Sequence, residues 1–403
     1  MSNANVNTTV QTGEGQEISS AEMKSFYDTE LIRNAEPLLV HDKFGQKRFI
    51  PKNGGKTIEF RRLNPFPKAT APLTEGVTPD GKKLDWSKLT ATVNQYGDYV
   101  TVSDMLDLTA VDNNILEATV ILGDQAGRTL DTVTREIINA GTNVQYAQSH
   151  IKKRSELTSD CTITVEAVKK AINTLKKAGA KKIDGSYVAI IHSDVAYDLM
   201  NDYEWKSIKE YNPENWYEGE IGRIYGCRFI ETNEAKVFEA KDLLKASRVM
   251  NVDSIVDSAN GVIKILEVIT PEDAENLVGR KVSRLGQIYT IISASAQDNT
   301  ITIDENTENT DIIPGGDLCP GEGGQNGCNV YSTLFIGADA YGVTEVEGGG
   351  LQTIIKQLGS AGSGDPLNQR ATVGWKAVKT AAILSQPFMV RLETTSSLNN
   401  SSL

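Results

Sequence analysis

Polar and apolar residues alternate along Lys56–Leu63 (KTIEFRRL), with Ile58 and Phe60 on one side and Glu59 and Arg61 on the other. The alternation returns over a longer span, Leu89–Val102 (LTATVNQYGDYVTV), rich in Thr, Val and Tyr. A period of two with this composition predicts strands. Between them, residues 64–88 hold Pro65, Pro67, Pro72 and Pro79 and follow no period. The pattern predicts a long β-hairpin with an extended tip, a stretch that in a compact domain is functional or disordered. The period then becomes helical. Asp112 and Asn114 are N-cap candidates, and Glu117 stands three residues after Asn114 as in a capping box. Ile115, Leu122, Ala126, Leu130, Val133 and Ile137 recur at steps of three, four or their sum, and Gly141 offers a stop. A helix over Asn113–Ala140, roughly 42 Å long at about 1.5 Å per residue, is expected. Gly123 and Gly127 weaken it by about 1 kcal/mol each relative to Ala, so packing must hold it. Ile115, Leu122, Leu130 and Ile137 should therefore lie buried against returning C-terminal strands. A two-stranded ribbon is marginal alone, so the hairpin needs something to lie on, and a neighbouring subunit is the natural candidate.

Elsewhere the signals are shorter. Residues 1–20 read as a polar arm, and Ala21–Val40 is helix-like until Pro37 interrupts it. Thr162–Ala178 is an amphipathic helix, with Val165, Val168, Ile172 and Leu175 on one face and Lys169, Lys170, Lys176 and Lys177 on the solvated other. Tyr187–Ile191 is a short buried strand, Asp194–Met200 and Glu204–Tyr211 look helical, and Ile221–Thr232 contains a strand punctuated by glycines. This alternation predicts a mixed α/β domain. Lys236–Asn329 differs, giving short β runs in 261–269 and 278–303 and then an acidic, Gly- and Pro-rich end; it reads as a β-rich insert. Val330–Gly342 resumes the α/β character, 347–364 is a glycine-rich loop region, Ala371–Glu393 reads as closing strands, and Thr394–Leu403 as a polar tail. No internal repeat is present.

Composition narrows the function. The 403 residues suggest two or three domains, and 39% hydrophobic with 23% charged residues is enough for a real core. The balance of 41 basic to 53 acidic residues, net −12, argues against gripping nucleic acid through clustered Lys and Arg. It still allows a protein that surrounds DNA. No stretch approaches the ~18 apolar residues of a membrane helix. With residues 1–20 polar and Lys24 the first base, no signal peptide is expected. Four cysteines are too few for a disulfide scaffold, so cytoplasmic synthesis with reduced thiols is expected.

No motif declares catalysis. Gly76–Lys83 (GVTPDGKK) nearly fits a phosphate loop, but Lys83 stands where Ser or Thr should reach magnesium, and the run lies among prolines. His41, His150 and His192 are far apart, and no zinc spacing exists. Cys319 and Cys328 flank a glycine-rich loop and read as two thiols in preference to a disulfide or a shared metal. Asp304–Asp311 matches a calcium loop only loosely, with Asn309 at the glycine position and Gly315 at the closing glutamate. No catalytic residue, cofactor or metal site is assigned, which counts against a soluble α/β enzyme with a β insert.

The order of parts (polar arm, long hairpin, long helix, mixed α/β domain, returning strands) resembles the major capsid protein of tailed bacteriophages, the Hong Kong 97-type fold. FGQKRFIPKNGGKTIEFRR, PLTEGVTPDGKKL, ATVNQYGDYVTVSDMLDL, GRTLDTVTREIINAGT, EGEIGRIYGCRFIET and DPLNQRATVGWKAVKTAAIL carry the resemblance, which is closer to the coat protein of the coliphage N-four group. The resemblance implies an α+β fold with an N-terminal arm (1–50), an extended hairpin loop (51–102) and a peripheral domain with the spine helix (103–160, completed by 365–395). An axial domain (161–235, completed by 330–364), the insertion (236–329) and a flexible tail (394–403) follow. It also implies a non-enzymatic subunit that self-assembles, as hexamers and pentamers, into an icosahedral head enclosing double-stranded DNA without sequence-specific binding. A portal, and a separate scaffolding or decoration protein, are the implied partners, because about 50 residues before the hairpin are too few for a fused scaffolding domain. The site of action is then the virion. An encapsulin-like compartment shell is the alternative within the same fold.

The candidate site is the hairpin's contact with a neighbour. Arg61, Arg62, Lys82 and Lys83 face a chain that is acidic overall, and Phe66, Leu73, Val77, Leu84 and Trp86 are apolar groups without a core of their own. The plainer reading makes the arginines solvated strand charges worth at most about 1 kcal/mol each.

Overall fold

The computed structural model describes residues 39–51, 55–63, 81–105, 114–206, 222–245, 247–305, 312–346, 350–356 and 369–400, with single positions between (66, 68–70, 72, 307 and 367). In chain order the strands are β1 (Gln46–Ile50), β2 (Thr57–Leu63), β3 (Trp86–Thr92), β4 (Asn94–Ser103), β5 (Val144–Tyr146), β6 (Tyr187–Ile191), β7 (Arg223–Ile224), β8 (Cys227–Glu231) and β9 (Val237–Phe238). Then come β10 (Met250–Asp257), β11 (Val262–Ile265), β12 (Lys281–Arg284), β13 (Gln287–Ser295), β14 (Thr300–Ile303) and β15 (Asp317–Pro320). The last five are β16 (Val330–Ile336), β17 (Tyr341–Val346), β18 (Gln352–Lys356), β19 (Arg370–Ile383) and β20 (Met389–Thr394). The main helices are α1 (Asn114–Asn139), α2 (Val165–Lys177), α3 (Ser193–Asn201) and α4 (Pro271–Leu277). The chain divides into two compact units, Met1–Ile138 with Tyr341–Leu384, and Asn139–Ala340 with Ser385–Leu403.

In the first unit, β19 is the central strand. It pairs with β4 from Asn94↔Lys379 to Ser103↔Arg370, and with β18 and β17, while β1 adds to β17 in parallel. Leu122, Ala126 and Leu130 of α1 pack on Val373, Trp375 and Ala377 of β19. Polar residues widen this buried stripe. Asp131 is fully buried and takes the His41 backbone N–H at 2.8 Å and its ring Nδ1 at 2.6 Å. Thr134 donates to Asp42 at 2.6 Å, Lys379 pairs with the same Asp42 and donates to Leu130 O at 3.1 Å, and the Tyr341 hydroxyl donates to His41 O. Burial pushes the Tyr341 hydroxyl's pKa well above its ordinary value, so it stays a donor. Of the four helix positions expected inside, Leu122 and Leu130 are buried, Ile137 is half-buried with Ile138 inside in its place, and the Ile115 side chain lies outside the description. The shift follows from Asp131 and Thr134, which turn a neighbouring row of the helix toward His41 and Asp42.

The second unit holds an α/β layer and a barrel. The sheet runs β5-β20-β16-β6-β8-β7 and packs on α2 and α3 through Val168, Ile172, Leu175, Leu199 and Phe335. Thr164 caps α2, accepting from Ala167 N–H at 3.3 Å. Glu393, fully buried, takes a two-pronged pair from Arg154 (2.7 and 2.8 Å) and a contact from Arg391 Nε at 2.9 Å. The barrel closes in the order β10-β11-β14-β13-β12-β15 around Met250, Val252, Ile263, Tyr289, Ile291 and Leu318. Closure removes the free edges of six short strands. Leu285 (φ 47°) and Gly286 (φ 84°) form the two-residue turn from β12 to β13, both in the left-handed region this tight hairpin requires.

The structure revises four expectations. The predicted strand 89–102 is two: Val93, buried, ends the ribbon by donating to Lys56 O at 2.9 Å, and β4 leaves for β19, where ten pairings and the helix await it. Residues 341–356, expected with the axial domain, pair with β19 instead. Residues 389–394, expected with the spine helix, pair with β16, because Ser385 and the turn Gln386–Phe388 containing Pro387 break the closing strand in two. Of the tail expected to be flexible, 394–403, the part 394–397 is fastened: Thr394, Thr395 and Ser396 are buried, Thr395 Oγ1 donates to Thr158 O at 2.9 Å, and the Ser397 hydroxyl and N–H bind Asp198, while 401–403 lie outside the described residues.

Three outcomes follow from this packing. Leu130→Ala should cost roughly 2–5 kcal/mol in chemical denaturation; unchanged stability would refute the α1 register. The insert begins and ends close together, with Ala240 N–H donating to Asn329 Oδ1 at 3.0 Å, so replacing 241–327 with a short Gly/Ser linker should leave a soluble, folded chain by circular dichroism. His192 accepts the Asp194 N–H at 3.2 Å, and desolvation holds its pKa below the ordinary value despite Asp194 and Glu231. The unfolded chain then takes up the proton first, so this site's stabilisation is present above about pH 6.5 and is lost as pH falls below it. Denaturation midpoints at pH 7.5 and 5.5 should converge less for the wild type than for His192→Asn, which keeps a cap acceptor.

Candidate intersubunit surface

β2 and β3 pair with each other alone among the described strands, from Thr57↔Thr92 to Leu63↔Trp86. Alternation gives the ribbon two faces. Phe60 and Ala91 are buried against Ala382, with Ile58 and Leu384 beside them, and Arg48 lies over the Phe60 ring at 5.5 Å. Gly342 is needed there, since a Cβ would stand 2.7 Å from the Phe60 ring. The ribbon's base is thus held by its own unit.

Its far end is not. Trp86 is 50% exposed and Leu84 62%, and Phe66, Lys82 and Lys83 are also exposed. Arg61 and Lys88, paired across the ribbon, both approach Glu59 (3.4 and 4.0 Å), all three solvated. Arg61 therefore has a local partner, and the contact is worth little in water. Leu73, Val77 and the Arg62 side chain lie outside the described residues, as does most of the GVTPDGKK run. The sequence reading missed Tyr99, 68% exposed on β4, and Phe49, Met105 and Ile121, also exposed. Tyr99 sits in an alternating strand, and alternation does not say which face stays open.

Beside Tyr99, Asp98 is turned to the helix. It accepts from Gln125 Nε2 at 2.7 Å and from the Tyr99 N–H at 2.8 Å, which together hold its carboxyl below the ordinary pKa, the Gln125 bond foremost. Gln125 Oε1 in turn takes the Trp375 indole N–H at 3.3 Å. Among the described residues no group of three or more His, Cys, Asp or Glu is placed to hold a metal, and no helix is long and apolar enough to cross a membrane. All four cysteines are buried, and desolvation pushes the Cys328 thiol up to about 11.

The fold is that of tailed-phage capsid proteins. The capsid of Ralstonia phage GP4 is similar over 89% of each chain at 12% identity, with a TM-score of 0.54. The capsid of cyanophage Pam1 is similar over 98% of each at 12% identity and 0.54, and that of cyanophage P-SCSP1u over 88% of this chain and 87% of that one at 12% and 0.52. At such identity the likeness establishes the fold, the Hong Kong 97-type. Residues 87–271 match the family described as phage capsid protein. No curated protein matches the chain.

Proposed function

We propose that this chain is the major capsid protein of a tailed phage, a non-enzymatic subunit of the icosahedral head that encloses double-stranded DNA. The observation that carries the reading is a two-stranded ribbon with an exposed apolar end on a phage capsid fold. A ribbon of this kind is not self-supporting, and exposed apolar groups at its end mark an interface. In a closed shell the same patch is used by every subunit, so the ribbon lies over a neighbour, with Trp86, Leu84 and Phe66 as anchors and Arg61, Lys82 and Lys83 at the rim. Hexamers and pentamers of this chain then make the virion shell, with a portal and a scaffolding or decoration protein as further partners. The barrel is an outward lobe. DNA is confined by closure, as the net charge of −12 suits. The family match, to phage capsid protein, favours the viral shell over an encapsulin-like compartment.

Deleting 64–88 with an Asn-Gly closure, and separately Arg61→Glu with Arg62→Glu, should leave native circular dichroism and abolish particles in electron microscopy. Normal assembly by the deletion variant would remove the ribbon from the interface. A wild-type chain that stays a 43.8 kDa monomer in size exclusion would contradict the capsid reading.

A further inference from the structure

Between Glu166 and Asp184 the chain carries six lysines and no acid, in a protein of net −12. Two of the six are occupied: Lys169 pairs with Glu204 at 2.5 Å, and Lys170 donates to Ser149 Oγ at 3.4 Å. The other four, Lys176, Lys177, Lys181 and Lys182, are exposed, and among the described residues none of their ammonium groups has a hydrogen-bond or ion-pair partner. They form two pairs separated by Ala178, Gly179 and Ala180. α2 ends in that gap. The Ala180 N–H reaches back to Leu175 O at 3.1 Å and the Gly179 N–H to Lys176 O at 3.0 Å, with Gly179 at φ 73°. This Schellman stop takes the second pair off the helix, where Lys181 O accepts the Ala338 N–H at 2.8 Å. Nothing stands within 4 Å of where a Gly179 Cβ would be, so the small residues leave an open saddle with a lysine pair at each end. Two carboxylates stand at its rim, Asp184, 3.7 Å from Arg228, and Asp339, next to Ala338. Five cations against two carboxylates still leave the patch positive.

Helix stability accounts for half of this. Cations in the last turn complement the free carbonyls of a helix, which suits Lys176 and Lys177. Lys181 and Lys182 lie past that turn and have no such reason to be there. Nor does the patch suit a protein partner. Protein interfaces are anchored by Trp, Tyr and Arg and are depleted in Lys, whereas the run 176–182 holds four lysines, no arginine, no aromatic and no large apolar residue except those stems. Lysine is a compact charge on a flexible stem. Four of them about an open saddle fit a partner whose negative charges repeat along a backbone and need no shaped pocket, which is the chemistry of a phosphodiester chain.

We infer that Lys176, Lys177, Lys181 and Lys182 contact the phosphate backbone of the enclosed double-stranded DNA, without reading its sequence. The inference rests on the shell reading and deepens it. An acidic chain confines DNA by closure, and one small cationic saddle per copy, weak alone, is repeated across the array, where many weak contacts act together.

The test is fluorescence anisotropy of a labelled duplex of about 20 base pairs, titrated with the soluble full chain at rising salt from about 0.05 M. Binding should weaken with salt at a log–log slope of about −3.6, the release expected for four neutralised phosphates. Lys→Gln at all four positions should lower the affinity about tenfold at the lowest salt and flatten the slope. Lys→Gln at Lys47, Lys241, Lys281 and Lys356, exposed elsewhere, removes the same charge and should leave both within about twofold. Equal losses in the two sets, or none in the first, overturn the inference. Displacement of the chain by poly-glutamate at lower charge concentration than by unlabelled duplex makes the patch a dock for acidic protein and also overturns it. On assembled particles, Lys181→Cys should stay silent toward a maleimide too large to enter a closed shell, the four native cysteines being buried. Labelling there puts the patch outside and removes the inference while the shell reading stands. If the unmodified chain forms no particles, the shell reading falls and the contact with enclosed DNA falls with it.

Discussion

A lysine ammonium only 2% exposed must be met by a carboxylate, and in this protein that need organises the first unit. Lys379 on β19 meets Asp42, while Asp131 on α1 meets His41. Two consecutive residues of one short segment therefore join the central strand to the long helix. Buried ion pairs are poor evidence for net stability, since desolvation offsets the attraction, but breaking one side typically costs about 3–5 kcal/mol. Their effect here is register. With His41 and Asp42 fixed, β1 begins four residues later beside β17, and the ribbon departs from a defined point. The apolar stripe of Leu122, Ala126 and Leu130 supplies the area; the polar row beside it decides how the helix sits.

The same economy explains the break after β19. A fourteen-residue strand serves three partners along its length, β4, β18 and β17, and ends at Ile383. Ser385 and Pro387 then stop the ladder, and six residues of β20 run in a different sheet, beside β16 and β5. One closing segment thereby contributes to both compact units. The buried Glu393, with Arg154 and Arg391, marks the second end as firmly as Lys379 marks the first.

Much of this was legible in the sequence where one physical signal dominated. The helical period of α1, the five apolar residues of β6 and the amphipathic α2 appear within three residues of their predicted limits. The resemblance supplied the fold that those elements share. What escaped was decided by polar partners distant in sequence. Nothing local to Asp131 or Lys379 announces that they will be buried, because their partners lie 90 and 337 residues away. The tail looked free because Thr394–Ser397 is polar, yet those hydroxyls meet Thr158, Asp194 and Asp198. At the candidate surface, Phe66, Leu84 and Trp86 could be named because apolar groups among prolines and charges have no local core. Tyr99 could not, because a strand's period is the same whether its second face is covered or open.

Where the chain satisfies its own surfaces and where it does not is therefore uneven. The barrel closes every strand edge, and the α/β sheet buries its side chains under α2 and α3. In the first unit, β4 offers ten residues of backbone to β19 on one side and has no described partner on the other. No lysine or proline within Asn94–Ser103 and no bulge blunts that edge, the usual defences against strand pairing with another chain. The ribbon beside it in sequence ends in exposed Trp86 and Leu84. An isolated monomer with such an edge would be at risk of aggregation. In the proposed shell such an edge needs no defence, because a neighbouring copy covers it. The undefended edge of β4 and the ribbon's exposed apolar end are thus two places where, among the described residues, the first unit leaves pairing and apolar surface open.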